Sequence, residues 1–535
     1  MMLTESGLQK ITSKLFYVGV LVFLYPLLTN TWMVTGDGPC HLYNAKVLKD
    51  IILNMDRAFY LDFYMVNYQL TPNLWDHILL GFFQIFFSPS ISEKLFFGTY
   101  IFTFSFGARY LCKNISPNSD WAVLSVLLFT FHHLMMKGFL NYTFSFAASF
   151  WVMGYYIKHK NDLRNWKTAL KLTLLLTINY FMHPIGFIFA LAGVAFITLA
   201  DLISILIKPN AKEVLIDFIK KVSPLALIVL PSLLLYLSFV MGSSFSKPLD
   251  WNTLINIDSL MTYADGERPY SLLVGKFAIV ILILGIVNRI KNGPIVHIAD
   301  GLLLLCLFFV FLFHANLIND SMIGGDRLKF LPHLCILIWM SSVRFAIWFK
   351  ALINVFALVI IFIFAFLRYP SYAEASAWVD DYMECEEHIL PRTKVLTLNY
   401  DYNGTTVDGR LIAPRNWTFM HGTSYLGAKK PLILSDNYQA HMSWFPLNWK
   451  DQKFSFYNAT GKDGMCFEDR PPRALFTSYA EKTGKTPIEY VLVIGKNETH
   501  MEHPNTIEID SQLVAKYDVI CKSKSGRSVL YGLKE

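Results

Sequence analysis

The sequence predicts a polytopic α-helical membrane bundle of about eleven spans, followed by a C-terminal soluble α/β domain. Three observations predict it. Apolar residues make up 54% of the chain and charged residues only 16%, whereas soluble domains carry about 25% charged residues. The apolar residues come in uninterrupted blocks, and a bilayer crossing needs roughly 20 residues of helix. From Ala373 onward the blocks give way to short alternating runs. With a mean hydropathy of +0.39, a globular core could not hide the apolar surface. Lipid is therefore the expected solvent for residues 1–370, and residues 371–535 form the expected extracytoplasmic domain.

The first apolar run, Leu15 to Trp32, follows Lys10 and Lys14 and is too long for the core of a cleavable signal. It reads as a first span with a cytoplasmic N-terminus. Further candidates fall at 73–88, 94–111, 120–136, 139–157, 169–182, 185–207, 222–241, 272–290, 298–316, 327–343 and 350–367. The formal charge of +7 sits in short basic clusters between these blocks. Arg109 with Lys113, Lys158 to Lys167, Lys208 to Lys221, Arg289 with Lys291, and Arg344 with Lys350 make an orientation signal, not a face for nucleic acid. All of them stay cytoplasmic only if one early candidate does not cross. The candidate at 73–88 is the weakest, because it begins after Pro72 and carries Asp76 and His77, and a mid-membrane Asp costs about 2.5–3.5 kcal/mol. Read as an interfacial or re-entrant helix, it completes a first external loop at 33–93 and leaves the tail outside.

In the tail, Lys394-Val395-Leu396-Thr397-Leu398 alternates like a half-buried strand, and Tyr490-Val491-Leu492-Val493-Ile494 reads as a fully buried one. Tyr517 to Cys521 and Val529 to Tyr531, joined through Ser525-Gly526-Arg527, predict a terminal hairpin. The seven cysteines contain no CxxC pair, which argues against a zinc ribbon or a thioredoxin-like site. Of those on the external side, Cys385, Cys466 and Cys521 are open to a disulfide whose pairing spacing does not decide. Asn403, Asn416, Asn458 and Asn497 begin glycosylation sequons.

The most informative stretch is Gly36-Asp37-Gly38-Pro39-Cys40-His41-Leu42-Tyr43-Asn44. Glycines on both sides of Asp37 let the backbone turn sharply just beyond the first helix. The competing role for Asp37 is that of a turn or capping aspartate, which Asp-Gly-Pro suits well. With Thr71-Pro72-Asn73-Leu74-Trp75 and Phe139-Leu140-Asn141-Tyr142, this stretch resembles the GT-C superfamily of membrane glycosyltransferases. The resemblance implies an integral enzyme of the plasma (inner) membrane and cell envelope that takes a sugar from a lipid-linked, polyprenyl-phosphate donor and passes it to an extracytoplasmic acceptor. It implies Asp37 as general base for the acceptor hydroxyl.

A departing lipid phosphate needs cationic partners near the membrane face. Arg327 and Lys329, in Gly324-Gly325-Asp326-Arg327-Leu328-Lys329, meet that need best; Lys137 beside His132 and His133, and Arg268, are further candidates. Arg327 as an interfacial or Asp326-paired cation is the competing reading. His41 and Asp37 could share a divalent cation with Asp76 and His77, whereas His183 before Pro184 reads first as a packed or capping histidine. Trp417, Trp444 and Trp449 are placed to stack on sugar rings or to fill the core. Two further function classes stand against the enzyme. One is a transporter or flippase, which would bury charges midway along its spans; the other is a non-catalytic membrane scaffold.

Overall fold

The computed structural model describes residues 4–209, 211–240, 260–294, 296–314, 325–406, 408–460 and 471–535. Cys466, Gly324 and most of the stretch between the candidates at 222–241 and 272–290 lie outside them. The chain resolves into two compact units. One comprises Met1–Tyr25, Gly98–Met135 and Leu140–Arg368; the other comprises Pro26–Phe97, Met136–Phe139 and Tyr369–Glu535. The second unit thus joins the first loop and a short piece before Leu140 to the tail.

Five described helices are long and apolar enough to cross a membrane: Glu5–Thr29, Pro184–Leu206, Ala211–Phe239, Asp265–Asn292 and Ile347–His388. They make the chain an integral membrane protein by length and composition. Asp300–Phe311 and Leu331–Ser342 are shorter apolar helices. The candidate at 73–88 is the 12-residue helix Trp75–Phe86, about 18 Å long against a hydrocarbon core of roughly 30 Å. It buries Asp76, His77, Leu80, Gly81 and Gln84 and exposes Ile78, Phe82, Ile85 and Phe86. Such two-sidedness suits a helix lying in an interface.

The candidate at 120–136 requires correction, because it is not one helix. It divides into Asp120–Leu127 and His133–Met136. Two carbonyls that a continuing helix would use internally are taken elsewhere: Thr130 O accepts from the Tyr100 hydroxyl at 2.7 Å and Phe131 O from the Arg368 guanidinium at 3.3 Å.

Inside the first unit, helices Leu140–His159 and Pro184–Leu206 approach closely through small residues. A Cβ on Gly186 would stand 2.0 Å from Ser145 Oγ, and the Ser149 hydroxyl donates to Gly186 O at 3.0 Å, a packing mode suited to helices without a hydrophobic driving force. His183 caps Pro184–Leu206, its Nδ1 accepting from Ile185 N at 3.1 Å. Several basic groups read as orientation signals meet acids at helix ends, namely Arg109 with Asp120 at 2.9 Å, Lys160 with Asp201 at 2.5 Å and Arg289 with Asp300 at 3.2 Å.

Among the described residues the second unit has seven strands: β1 Tyr64–Val66, β2 Thr393–Asn399, β3 Leu432–Leu434, β4 Leu447–Trp449, β5 Tyr490–Ile494, β6 Tyr517–Lys522 and β7 Ser528–Leu533. Five form a sheet in the order β3-β2-β5-β7-β6, with β2 parallel to both β3 and β5 and the last pairs antiparallel. The terminal hairpin is therefore β6–β7. β2 is an interior strand, more deeply buried than its alternation predicts. The reason is that its polar members find partners: Lys394 Nζ donates to Glu489 at 2.7 Å and to Thr486 at 2.6 Å. β1 from the first loop pairs antiparallel with β4 from the tail, Tyr64 opposite Trp449 with ring centroids 4.5 Å apart. That contact makes Trp449 a core residue. Cys385, just beyond the long helix Ile347–Met383, is disulfide-bonded to Cys521 of β6.

Candidate functional site

Asp37 stands at the N-terminus of the helix Gly38–Ile52, with Pro39 in its first turn, where a missing N–H costs nothing. Its backbone is clamped by the segment before Leu140: Gly36 N donates to Met136 O at 2.9 Å and Asp37 N to Lys137 O at 3.0 Å. The clamp demands glycine. A Cβ on Gly36 would meet Lys137 O at 2.7 Å, and Gly138, at φ +88°, comes so close that its own Cβ would lie 2.3 Å from Asp37 N. Lys137 thus reaches the neighbourhood of Asp37 through its main chain.

The Asp37 side chain makes no cap hydrogen bond and is 21% exposed. It accepts a hydrogen bond from the Tyr438 hydroxyl. His421 stacks on Tyr438 with centroids 4.8 Å apart. The His421 ring lies between two carboxylates, Nε2 at 3.8 Å from Asp37 and Nδ1 at 3.9 Å from Asp436. Burial, helped by the nearby His41, pulls the His421 pKa down to about 3, so the ring is neutral at ordinary pH. Burial has the opposite sign on Asp436, pushing it up to about 6 against the hydroxyls of Thr423 and Ser424. Burial and the charges of Asp436 and Asp37 also push up the Cys40 thiol, which stays protonated and makes a poor nucleophile.

Beside this group His41, Asp76 and His77 come together, their ligand atoms all within 4.8 Å of one another. His41 Nδ1 is 2.5 Å from Asp76 Oδ2, and His77 Nδ1 is 2.6 Å from Asp76 Oδ1. All three residues are buried, yet neither His41 Nδ1 nor either ring nitrogen of His77 makes a hydrogen bond. Gln439 engages the other His41 nitrogen at 2.9 Å and is itself held by Asn44 at 2.8 Å, which leaves Nδ1 as the one facing Asp76. Burial alone would raise the Asp76 pKa, but the two histidines hold it well below the ordinary carboxylate range. Two imidazoles and a carboxylate with their ligand atoms this close together are the donor types that a divalent cation of the zinc, manganese or iron class takes. Asp37 is not among the three.

Of the residues singled out by sequence, Asp37, His41 and Lys137 belong to the second unit, whereas Arg268, Arg327 and Lys329 belong to the first. There Arg327 is buried, its guanidinium 5.8 Å from the Tyr142 ring centre, and the Tyr142 hydroxyl donates to Arg327 O. Arg268 is exposed at the start of its helix, while its neighbour Glu267 is buried and paired with Arg368. Sequence reasoning missed His421, Asp436, Tyr438 and Gln439. The available signal was the short apolar run Leu432-Ile433-Leu434 passing at once into Ser435-Asp436-Asn437.

No protein-family model matches the chain, nor does any curated protein. Among solved structures, the chain is similar to the Archaeoglobus fulgidus oligosaccharyltransferase in complex with Zn and sulfate, at 14% identity over 91% of this chain and 68% of that one, with a TM-score of 0.41. It is likewise similar to the apo form of that enzyme, at 12% identity over 92% and 70% of the two chains, with a TM-score of 0.44.

Proposed function

We propose that the protein is a membrane glycosyltransferase that moves a sugar from a polyprenyl-phosphate-linked donor to an extracytoplasmic acceptor, with Asp37 as general base. The observation that carries this reading is the setting of Asp37. Its carboxylate is partly open and oriented by Tyr438, its backbone is clamped, and a buried group of histidines and acids lies behind it. In the proposed step the acceptor oxygen forms a bond to the anomeric carbon and gives its proton to Asp37. The bond from that carbon to the phosphate oxygen breaks, and the phosphate leaves with the electron pair. A divalent ion held by His41, Asp76 and His77 would supply positive charge to that phosphate. Arg327 and Lys329 are assigned to holding the lipid phosphate, with Lys137 and Arg268 as secondary cations. The proposal keeps the eleven-span topology, with a cytoplasmic N-terminus and an external tail.

Turnover of a synthetic polyprenyl-phosphate sugar by the purified full chain tests it. Asp37→Asn keeps the shape and removes the base, so turnover should fall by about 10²–10⁴. Arg327→Lys keeps a charge without the guanidinium fork and should impair donor use less than Arg327→Ala. Full turnover by Asp37→Asn would sink the assignment, and donor movement across vesicles without transfer would favour a flippase.

A further inference from the structure

At the carboxyl ends of the adjacent parallel strands β2 and β3 the second unit opens into a cleft lined by none of the residues assigned above to the transfer step. Thr397, Asn399, Tyr402, Asp436, Tyr457 and Arg473 are among its lining residues. In open sheets with parallel strands this is where ligands sit, because the strands end there and the following loops diverge. Asp436 is a buried acid of the cleft, only 6% exposed. One carboxylate oxygen, Oδ2, accepts from the Thr423 hydroxyl at 2.8 Å and from Ser424 at 3.5 Å. The other, Oδ1, is buried and makes no hydrogen bond. A buried acceptor of this kind costs stability unless a donor reaches it.

We infer that this cleft is a carbohydrate subsite that seats the acceptor as a neutral sugar ring, an inference that rests on the transferase reading above. The donor that Asp436 Oδ1 lacks is a hydroxyl, which a sugar offers in several directions. Tyr402 and Tyr457 bring aromatic faces with polar edges, which match a ring that is apolar on its C–H face and polar at its rim. Asp436 and Arg473 are of opposite charge, so the lining has no strong single-sign field to select an ion. The cleft also communicates with the base. His421 touches neither carboxylate directly, but one imidazole is all that separates Asp436 from Asp37, at 3.9 and 3.8 Å. An acceptor ring seated on Asp436 therefore lies on the tail side of the proposed reaction centre.

The test is saturation-transfer difference NMR on the detergent-solubilised full chain with the methyl glycosides of glucose, galactose, mannose and N-acetylglucosamine, in the absence of any donor. At least one should bind saturably. Asp436→Ala should weaken it by about tenfold or more, as expected for loss of a hydrogen bond to a charged group. Tyr457→Ala, a partly exposed position that leaves the sheet intact, should weaken it as well. Binding of none of the four, or binding unchanged in both cleft variants, overturns the subsite. Because no transfer is measured, failure here with normal, Asp37-dependent turnover rejects the cleft alone. Sugar binding with no turnover rejects the transferase reading and leaves the cleft standing.

Discussion

The imidazole of His421 stands 3.8 Å from the carboxylate of Asp37, just beyond hydrogen-bond length, and is kept neutral by burial. A neutral ring at that distance does not compete for the proton that Asp37 is proposed to take. It supports Tyr438, which donates to Asp37 and stacks on the ring. His421 is thus a positioning residue for Asp37.

Replacing His421 by Phe preserves the stack on Tyr438 and removes the ring nitrogens. Turnover should fall by about tenfold, well short of the loss expected from Asp37→Asn, and the pH profile should keep its shape. If His421→Phe loses as much as Asp37→Asn and changes the profile, the ring itself carries the proton.

The buried trio of His41, Asp76 and His77 predicts metal content. Elemental analysis of the purified full chain should find about one divalent ion per chain, lost in Asp76→Ala and in His77→Ala. Gln439, which orients His41, should act at one remove, so Gln439→Leu should weaken metal affinity by about 10–100-fold without abolishing it. A wild-type protein free of bound metal after purification in zinc or manganese would refute the site.

How much of this could be read beforehand differs from residue to residue. Asp37 stood out in the sequence because glycines flank it and it follows an apolar run of spanning length; its role as base stays a proposal. The meeting of His41 with Asp76 and His77 was legible only as a possibility of loop closure. The tail's contribution was not, since β3 is three residues long and periodicity needs a longer window to speak. Pairing of β1 with β4 brings Tyr64 opposite Trp449, and nothing in either short run names its partner. The split of 120–136 escaped notice because its cause lies in side chains far along the chain, Tyr100 and Arg368, which capture the carbonyls of Thr130 and Phe131.

Glu267 and Arg368 form a buried ion pair at 2.8 Å in the first unit, and the two members are not equivalent. Glu267 also accepts from Thr262 N, Tyr263 N and Ala264 N and from the Thr262 hydroxyl. Arg368 otherwise reaches the carbonyls of Phe131 and Leu260. Removing one partner of a buried pair costs about 3–5 kcal/mol. Glu267→Ala strands three backbone donors as well as the guanidinium, so its melting temperature in detergent should fall further than that of Arg368→Ala. The reverse order would show that the carbonyl contacts of Arg368 dominate.

The carboxyl of Asp436 predicts a pH dependence of stability with a definite sign. In the unfolded chain an aspartate titrates near about 3.9, and in the folded protein burial raises this one to about 6. Between those values the folded state holds a proton that the unfolded state has released. Its contribution to stability is therefore complete below about pH 4 and is lost as pH rises through 6, by an amount on the order of 3 kcal/mol. Asp436→Asn carries no titrating proton, so the difference in melting temperature between variant and wild type should move in the variant's favour from pH 4 to pH 7. Intrinsic-fluorescence melts of both proteins across that range measure it, and a difference that is flat or moves the other way would mean that Asp436 remains ionised in the folded chain.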